Sequence, residues 1–495
     1  MDRTIYPSAF IGPTPPERII GTETEYASND LVRLRGEPLG PALNHLGYNT
    51  TRDTAGTGHF VDSGARVYFD MGKLLEVATP EARGPLEATI VDFAGMSIIN
   101  RLGVYQATGG PEPLGTTTPA YRISGSYMPA TSTEPPEYVT VGRHGNYLLP
   151  RPGNDETNLM FREVLSAYIA TRAIWDGCGI VMGRYGLSQK TPGIGVTVLN
   201  GHGHRTVEGG KPMGELLGPQ DGKFTPGWTI FEDRSVDAHM SRMGTLLSVG
   251  AVSLVLRLLE QGIINQYNAD DFTLREPIGV LKNTNYHFGK GVFDLESGAK
   301  STAAELQQRF IEAMSMMASS EDRRLPDSEI GVAERLQKLS PKLSELDRKD
   351  PDYEVLSPEV EWATKLHYLR TKYGEDFCNK KTLVEAVAFD RQWHQTDEKS
   401  IGQLVYKRLD PDAKQLDEPI EYFRTHPPQT RAAARSRLLS SAACTLADWN
   451  LVKLVGSAPS EAIELDDPYS SRLPGDIMKH HSSTTDLLED ISKAG

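Results

Sequence analysis

Glu23 and Glu25 stand two residues apart in Arg18-Ile19-Ile20-Gly21-Thr22-Glu23-Thr24-Glu25-Tyr26. Arg66, Tyr68 and Asp70 repeat that spacing in Ala65-Arg66-Val67-Tyr68-Phe69-Asp70, and Glu76 follows six residues later. Alternate residues of a strand share a face, so each set points one way. Glutamate is a poor strand former, and neighbouring carboxylates repel. A cation over that face removes the repulsion. Oxygen donors suit Mg²⁺, and an arginine beside them suits a phosphate. The two strands together predict a Mg²⁺–nucleotide site on an antiparallel sheet. Glu-x-Glu alone would equally fit a strand with one solvated face.

The elements that must hold these residues can be read from spacing. Residues 18–26 form a first strand, 27–58 a connecting loop, and 59–70 a second strand. Leu86, Ile90, Phe93, Ala94 and Ile98 recur near the helical period and predict a helix over 86–102. The stretch 105–138 is loose, and further helices fall at 157–175, 301–318, 328–347, 358–373 and 379–391. Short strands are expected near 179–200. Residues 243–261 read as a buried helix stopped at Gly262. The Gly193–Gly210 segment contains Gly201-His202-Gly203-His204, where no carboxylate or cysteine at ligand spacing accompanies the histidines, so it reads as a solvated loop. A boundary near 410–420 separates a small module with a helix at 429–443 and a strand at 449–454. The ends divide off as an N-terminal arm, 1–17, and a polar tail, 476–495.

Composition narrows the class. The chain has 495 residues, 38% of them hydrophobic, enough for a sizeable core. Its formal charge of −14 disfavours nucleic acid or an anionic membrane as partner. No run of 18 or more purely apolar residues is present, and the first residues lack a signal-peptide pattern. Cys178, Cys378 and Cys444 have no paired spacing, which fits a reducing cytoplasm and argues against a disulfide framework or a zinc site. The expected location is cytoplasmic.

Several segments, in order, resemble the Pup ligase and depupylase family, relatives of the glutamine synthetase type of carboxylate–amine ligase. Gly21-Thr22-Glu23-Thr24-Glu25-Tyr26 resembles its Gly-x-Glu-x-Glu-aromatic strand. Ser63-Gly64-Ala65-Arg66-Val67-Tyr68-Phe69-Asp70 resembles Asn-Gly-Ala-Arg-Leu-Tyr-x-Asp, and Glu76-Val77-Ala78-Thr79-Pro80-Glu81 resembles Glu-Tyr-Ala-Thr-x-Glu. His144 with Asn146-Tyr147-Leu148, Leu187-Ser188-Gln189-Lys190, Pro427-Pro428-Gln429-Thr430 and Asp448-Trp449 continue the series. The resemblance implies an α+β fold: a glutamine synthetase-like antiparallel β-sheet cradle flanked by helices, spanning 18–415, with a small C-terminal domain at 416–475 contacting the nucleotide. It implies Glu23, Tyr68 and Glu76 as Mg²⁺ ligands with Glu25 beside them. Arg66, Thr79 and Trp449 would contact ATP, and Asp70 would be the catalytic base.

The implied chemistry is ATP-dependent ligation. A carboxylate is a poor electrophile; phosphorylation gives an acyl phosphate, which an amine attacks to form an amide or isopeptide bond. The partners are a carboxylate donor (a Pup-like protein, a peptide or a small molecule) and an amine acceptor. A depupylase or deamidase-type hydrolase on the same fold is an alternative, against which stand the mere 34 or so residues between Tyr26 and Val61 and the six-residue step from Asp70 to Glu76. A second alternative is an inactive nucleotide-binding homologue. It is motivated by two departures: Gly145 stands where the family's His-Glu-Asn-Tyr-Leu has its acid, and Arg242 stands where another acid precedes the long buried helix. The family's Asn-Thr-Arg-Asp-Glu-Pro-His loop has no counterpart near Leu199–Arg205.

Overall fold

The computed structural model describes residues 15–472 apart from 29–30, 35–37, 71–73, 111–119, 123–124, 127–137, 140, 151–154, 202–209, 218–227, 321–324, 398, 440–443 and 455–462. Most of the expected arm, the whole polar tail, and His202 and His204 lie outside the described residues.

A ten-stranded sheet forms the frame. Its strands are β1 (Ile19–Tyr26), β2 (Thr50–Arg52), β3 (Gly58–Val61), β4 (Arg66–Asp70), β5 (Leu74–Ala78), β6 (Ala82–Arg83), β7 (Arg143–Pro150), β8 (Leu199–Asn200), β9 (Gly214–Leu217) and β10 (Trp228–Val236). The order is β8-β9-β10-β7-β1-β5-β4-β3-β2, with β6 also on β1. Every pairing is antiparallel except β8 with β9 at the edge, so the expected antiparallel cradle is a mixed sheet with one parallel pair.

Two local expectations are corrected. The 59–70 strand is a hairpin, because Gly64 adopts φ +79° and turns the chain between β3 and β4; a side chain would be strained there. The 27–58 segment is more ordered than a loop, holding a short helix at Leu39–His45 and strand β2.

One face of the sheet is apolar and packs on helices. Val67, Phe69, Leu75, Val77, Tyr147 and Phe231 are buried there. Helix α1 (Gly84–Thr108) carries Asp92, which accepts from the Thr22 and Thr24 hydroxyls at 3.2 and 2.6 Å and pairs with buried Arg122 at 2.5 Å. A close approach explains Gly95 of α1: a Cβ there would sit 2.9 Å from Val77. Leu86 lies on the exposed side of α1, 42% accessible, so the apolar stripe starts one turn later than the periodicity suggested.

Behind α1 the helical layer contains α2 (Asp155–Asp176), α3 (Arg242–Glu260), α4 (Ala303–Ala318), α5 (Asp327–Leu343), α6 (Glu361–Tyr373) and α7 (Leu383–Trp393). Helix α3 is capped by Ser241, whose hydroxyl accepts from the Gly244 N–H, and Gly262 at φ +63° follows its end. It is long and apolar enough to cross a membrane, yet its length is enclosed in the core.

The small C-terminal module has its own core of Ala434, Leu438, Val452, Ile463 and Leu465. It comprises α8 (Arg431–Leu439) and β11–β13 (Cys444–Ala447, Leu451–Leu454, Ile463–Glu464). The helix Asp417–Phe423 packs on α1 instead, with Ile420 in the main core. The module therefore begins near Arg431, later than the expected residue 416.

Candidate functional site

The polar face of the sheet opens into a cleft of about 380 Å³, within the range of small-ligand sites. Register places its side chains. Glu23 of β1 stands opposite Ala78 of β5 and His144 of β7; Glu25 stands opposite Glu76; Glu76 stands opposite Tyr68 of β4. Arg66 faces Ala78, so Arg66, Tyr68 and Asp70 lie in one row. Glu23, Arg66, Tyr68, Asp70, Glu76, Thr79 and Trp449 all line the cleft. Seven of the eight residues singled out from sequence are thus brought together.

Glu25 is the exception. It is buried and does not line the cleft, and its Oε2 accepts from the Lys190 ammonium at 2.7 Å and the Gly142 N–H at 2.8 Å. Burial works to raise its pKa, but Lys190, His144 and Lys211 together outweigh that and hold the carboxyl below its ordinary value. Glu25 is a paired buried anion beside the cluster of donors.

Glu76 has the opposite electrostatics. Burial, then the charges of Glu23, Glu25 and Asp70, push its pKa well above 4.5. The Tyr68 hydroxyl donates to its Oε2 at 2.5 Å. For Glu23, burial is opposed by the hydrogen bond and charge of His144, and the pKa falls to about 2. The repulsion among the carboxylates therefore falls on Glu76, which holds its proton more tightly than an ordinary glutamate.

Two neighbours extend the donor set. His144 Nδ1 lies 3.6 Å from Glu23 and 3.5 Å from Glu232 of β10, and the three side chains could share one ion. Glu232 was not singled out in the sequence, since it lies more than two hundred residues from Glu23 and joins it only through β7.

The other wall is cationic and aromatic. Arg66 is fixed by Asp53 at 2.6 Å and lies over the Tyr68 ring at 4.0 Å. Thr79 Oγ1 accepts from the Thr22 N–H at 2.9 Å, so it also ties β1 to the turn after β5. Trp449 packs edge-on against Phe60 at 5.1 Å. It is delivered by the small module, which Glu81 latches to the sheet. Arg431 and Arg435 both reach Glu81 at 2.8 Å. Burial would raise the Glu81 pKa, but Arg435 and Arg431 hold it at about 2.

The two departures at 145 and 242 fall away from the cleft. His144 and Asn146 face it, so residue 145 points to the opposite side, where a Cβ would meet the Tyr147 ring at 2.7 Å. An acid there could not reach the donors. Arg242 pairs with Asp417 and borders a separate small pocket beside α1.

Residues 18–201 and 234–453 match the family model described as Pup-ligase protein. The Pup–protein ligase of Bifidobacterium animalis subsp. lactis (strain AD011) is 25% identical over 492 residues, covering 94% of this chain and 92% of that protein. That of Acidimicrobium ferrooxidans is 27% identical over 428 residues, covering 83% and 87%. The fold is similar to that of the ligase PafA in its crystal complex with the prokaryotic ubiquitin-like protein Pup. The TM-score is 0.70 at 20% identity, over 96% of this chain and 92% of that one. A structure of PafA with ADP gives 0.67 at 20% identity, over 88% and 90%.

Proposed function

The chain belongs to the Pup-ligase protein family, and we propose that it is an ATP-dependent ligase joining a carboxylate of a Pup-like protein to an amine on an acceptor protein. The observation that carries this reading is one cleft holding Glu23, Tyr68 and Glu76 beside Arg66, Asp70 and Trp449. Oxygen donors fit Mg²⁺, and the raised pKa of Glu76 marks carboxylate repulsion that a cation would relieve. Glu23, Tyr68 and Glu76, with His144 and Glu232 alongside, would hold Mg²⁺, which when bound neutralises phosphate charge and aligns transfer.

The chain's own residues supply the rest. Arg66, immobilised by Asp53, presents a fixed positive charge where a phosphoryl group develops charge. Trp449 offers an aromatic surface at the cleft wall. Asp70 ends β4 and is solvent-exposed, so an amine arriving from outside can surrender its proton to the Asp70 carboxylate before it attacks the activated carbonyl carbon. The carbonyl–oxygen bond to phosphate then breaks as the amide forms.

Coupled ADP release, measured with a Pup-like donor and an acceptor protein, tests this. Asp70→Asn should lower product formation by about 10²-fold or more while nucleotide affinity stays within a few-fold. Full activity in that variant would refute the assignment of Asp70.

A further inference from the structure

Away from the cleft, where α2, α3 and α6 meet, Cys178, His239 and Glu361 converge, each fully buried. Cys178 follows the end of α2, His239 precedes the cap of α3, and Glu361 opens α6. One donor atom from each lies within 4.8 Å of the other two. We propose that this cluster is a structural metal site for Zn²⁺ that pins the three helices together.

The donor set is the first argument. Thiolate, imidazole and carboxylate together suit zinc, and not Mg²⁺. Tetrahedral zinc at about 2.0–2.3 Å from its donors separates them by about 3.5 Å, so the side chains need close by little more than about 1 Å. The second argument is what the histidine lacks. His239 is 2% exposed, and its Nδ1 has no hydrogen-bond partner. A buried orphaned nitrogen is costly, and a metal satisfies it. The outer groups supply the third. Asp176 Oδ1, itself without a hydrogen-bond partner, lies 3.4 Å from His239 Nε2. That is the carboxylate–histidine relation that orients metal-bound imidazole. Asp237 accepts from the Cys178 N–H at 2.9 Å. Trp393 and the Met240 N–H hold the Glu361 carboxylate at 3.0 Å.

Zinc takes the imidazole in its neutral form and the cysteine as thiolate. The thiol ionises only as zinc binds, its S–H bond breaking as the Zn–S bond forms and its proton passing to solvent.

The test is full-length protein expressed in medium supplemented with zinc or cobalt. Zinc-grown protein should retain about one zinc per chain through desalting. Cobalt-grown protein should show a thiolate-to-cobalt charge-transfer band. Cys178→Ser should abolish the band, and Asp176→Asn should weaken metal affinity about 10- to 100-fold. His144→Ala, Cys378→Ser and Cys444→Ser should leave the band intact, separating this site from the cleft. The wild-type spectrum decides even if a variant fails to fold: folded protein carrying no band, or a band that survives Cys178→Ser, overturns the proposal.

Discussion

Replacing Arg435 by Met should loosen the small module from the sheet. Arg435 is fully buried and donates to Glu81, to the Trp449 carbonyl at 2.6 Å and to the Gly64 carbonyl at 3.1 Å, with its guanidinium 5.3 Å from the Phe60 ring. Glu81 is held at about 2 against an ordinary 4.5, which at about 1.4 kcal/mol per unit is worth about 3 kcal/mol. Two arginines share that. Stripping one partner from a buried ion pair costs about 3–5 kcal/mol; because Arg431 remains, the expected loss is about 2–3 kcal/mol. Urea unfolding measures it, and ADP affinity should fall with it, since Arg435 fixes Trp449. Glu81→Gln combined with Arg435→Met should cost less than the two single changes added together. The acid dependence has a definite sign. Glu81 has a depressed folded pKa, so its stabilisation is complete above about 4.5 and is lost as pH falls towards about 2. An Arg435→Met protein within about 0.5 kcal/mol of wild type, with unchanged ADP affinity, would refute the latch.

Divalent-cation binding should release a proton, because burial and then the neighbouring carboxylates hold Glu76 well above its ordinary 4.5. Calorimetry in buffers of different ionisation enthalpy reads that release, affinity for Mn²⁺ should rise with pH, and zero release would contradict the charge assignment. Gly145→Glu should destabilise the protein by about 1–3 kcal/mol through overpacking and add no metal ion, since position 145 faces the Tyr147 ring; thermal melts and metal counting check both halves. Lys190→Met should cost about 3–5 kcal/mol by stranding buried Glu25, and Lys190→Met with Glu25→Leu should recover part of it in denaturant titrations.

Alternation in two short strands was enough to assemble most of the cleft on paper, because residues i and i+2 of a strand have little choice of face. The same rule applied to His144-Gly145-Asn146 would have shown that the missing acid points away, a signal present in the sequence and easily passed over. Glu232 left no such trace: its place depends on β10 lying beside β7. Lys190 stood inside a recognised motif, but its partner Glu25 is 165 positions away, and only tertiary structure makes that pair. The hairpin at Gly64 was hidden because Gly occurs in strands and turns alike, and positive φ is a property of the backbone. Glu81, Arg431 and Arg435 could be read as charged surface; their burial arises only when the module docks.

Helix α3 is lipid-like enough to be mistaken for a bilayer anchor, yet it follows β10 by only a few residues. Every strand of the large sheet is therefore synthesised before it. During translation the greasy segment emerges onto an apolar surface that can already have formed, while α4 and α5, which cover its remaining sides, come later. Chain order thus shortens the interval in which insertion machinery or aggregation could compete for it.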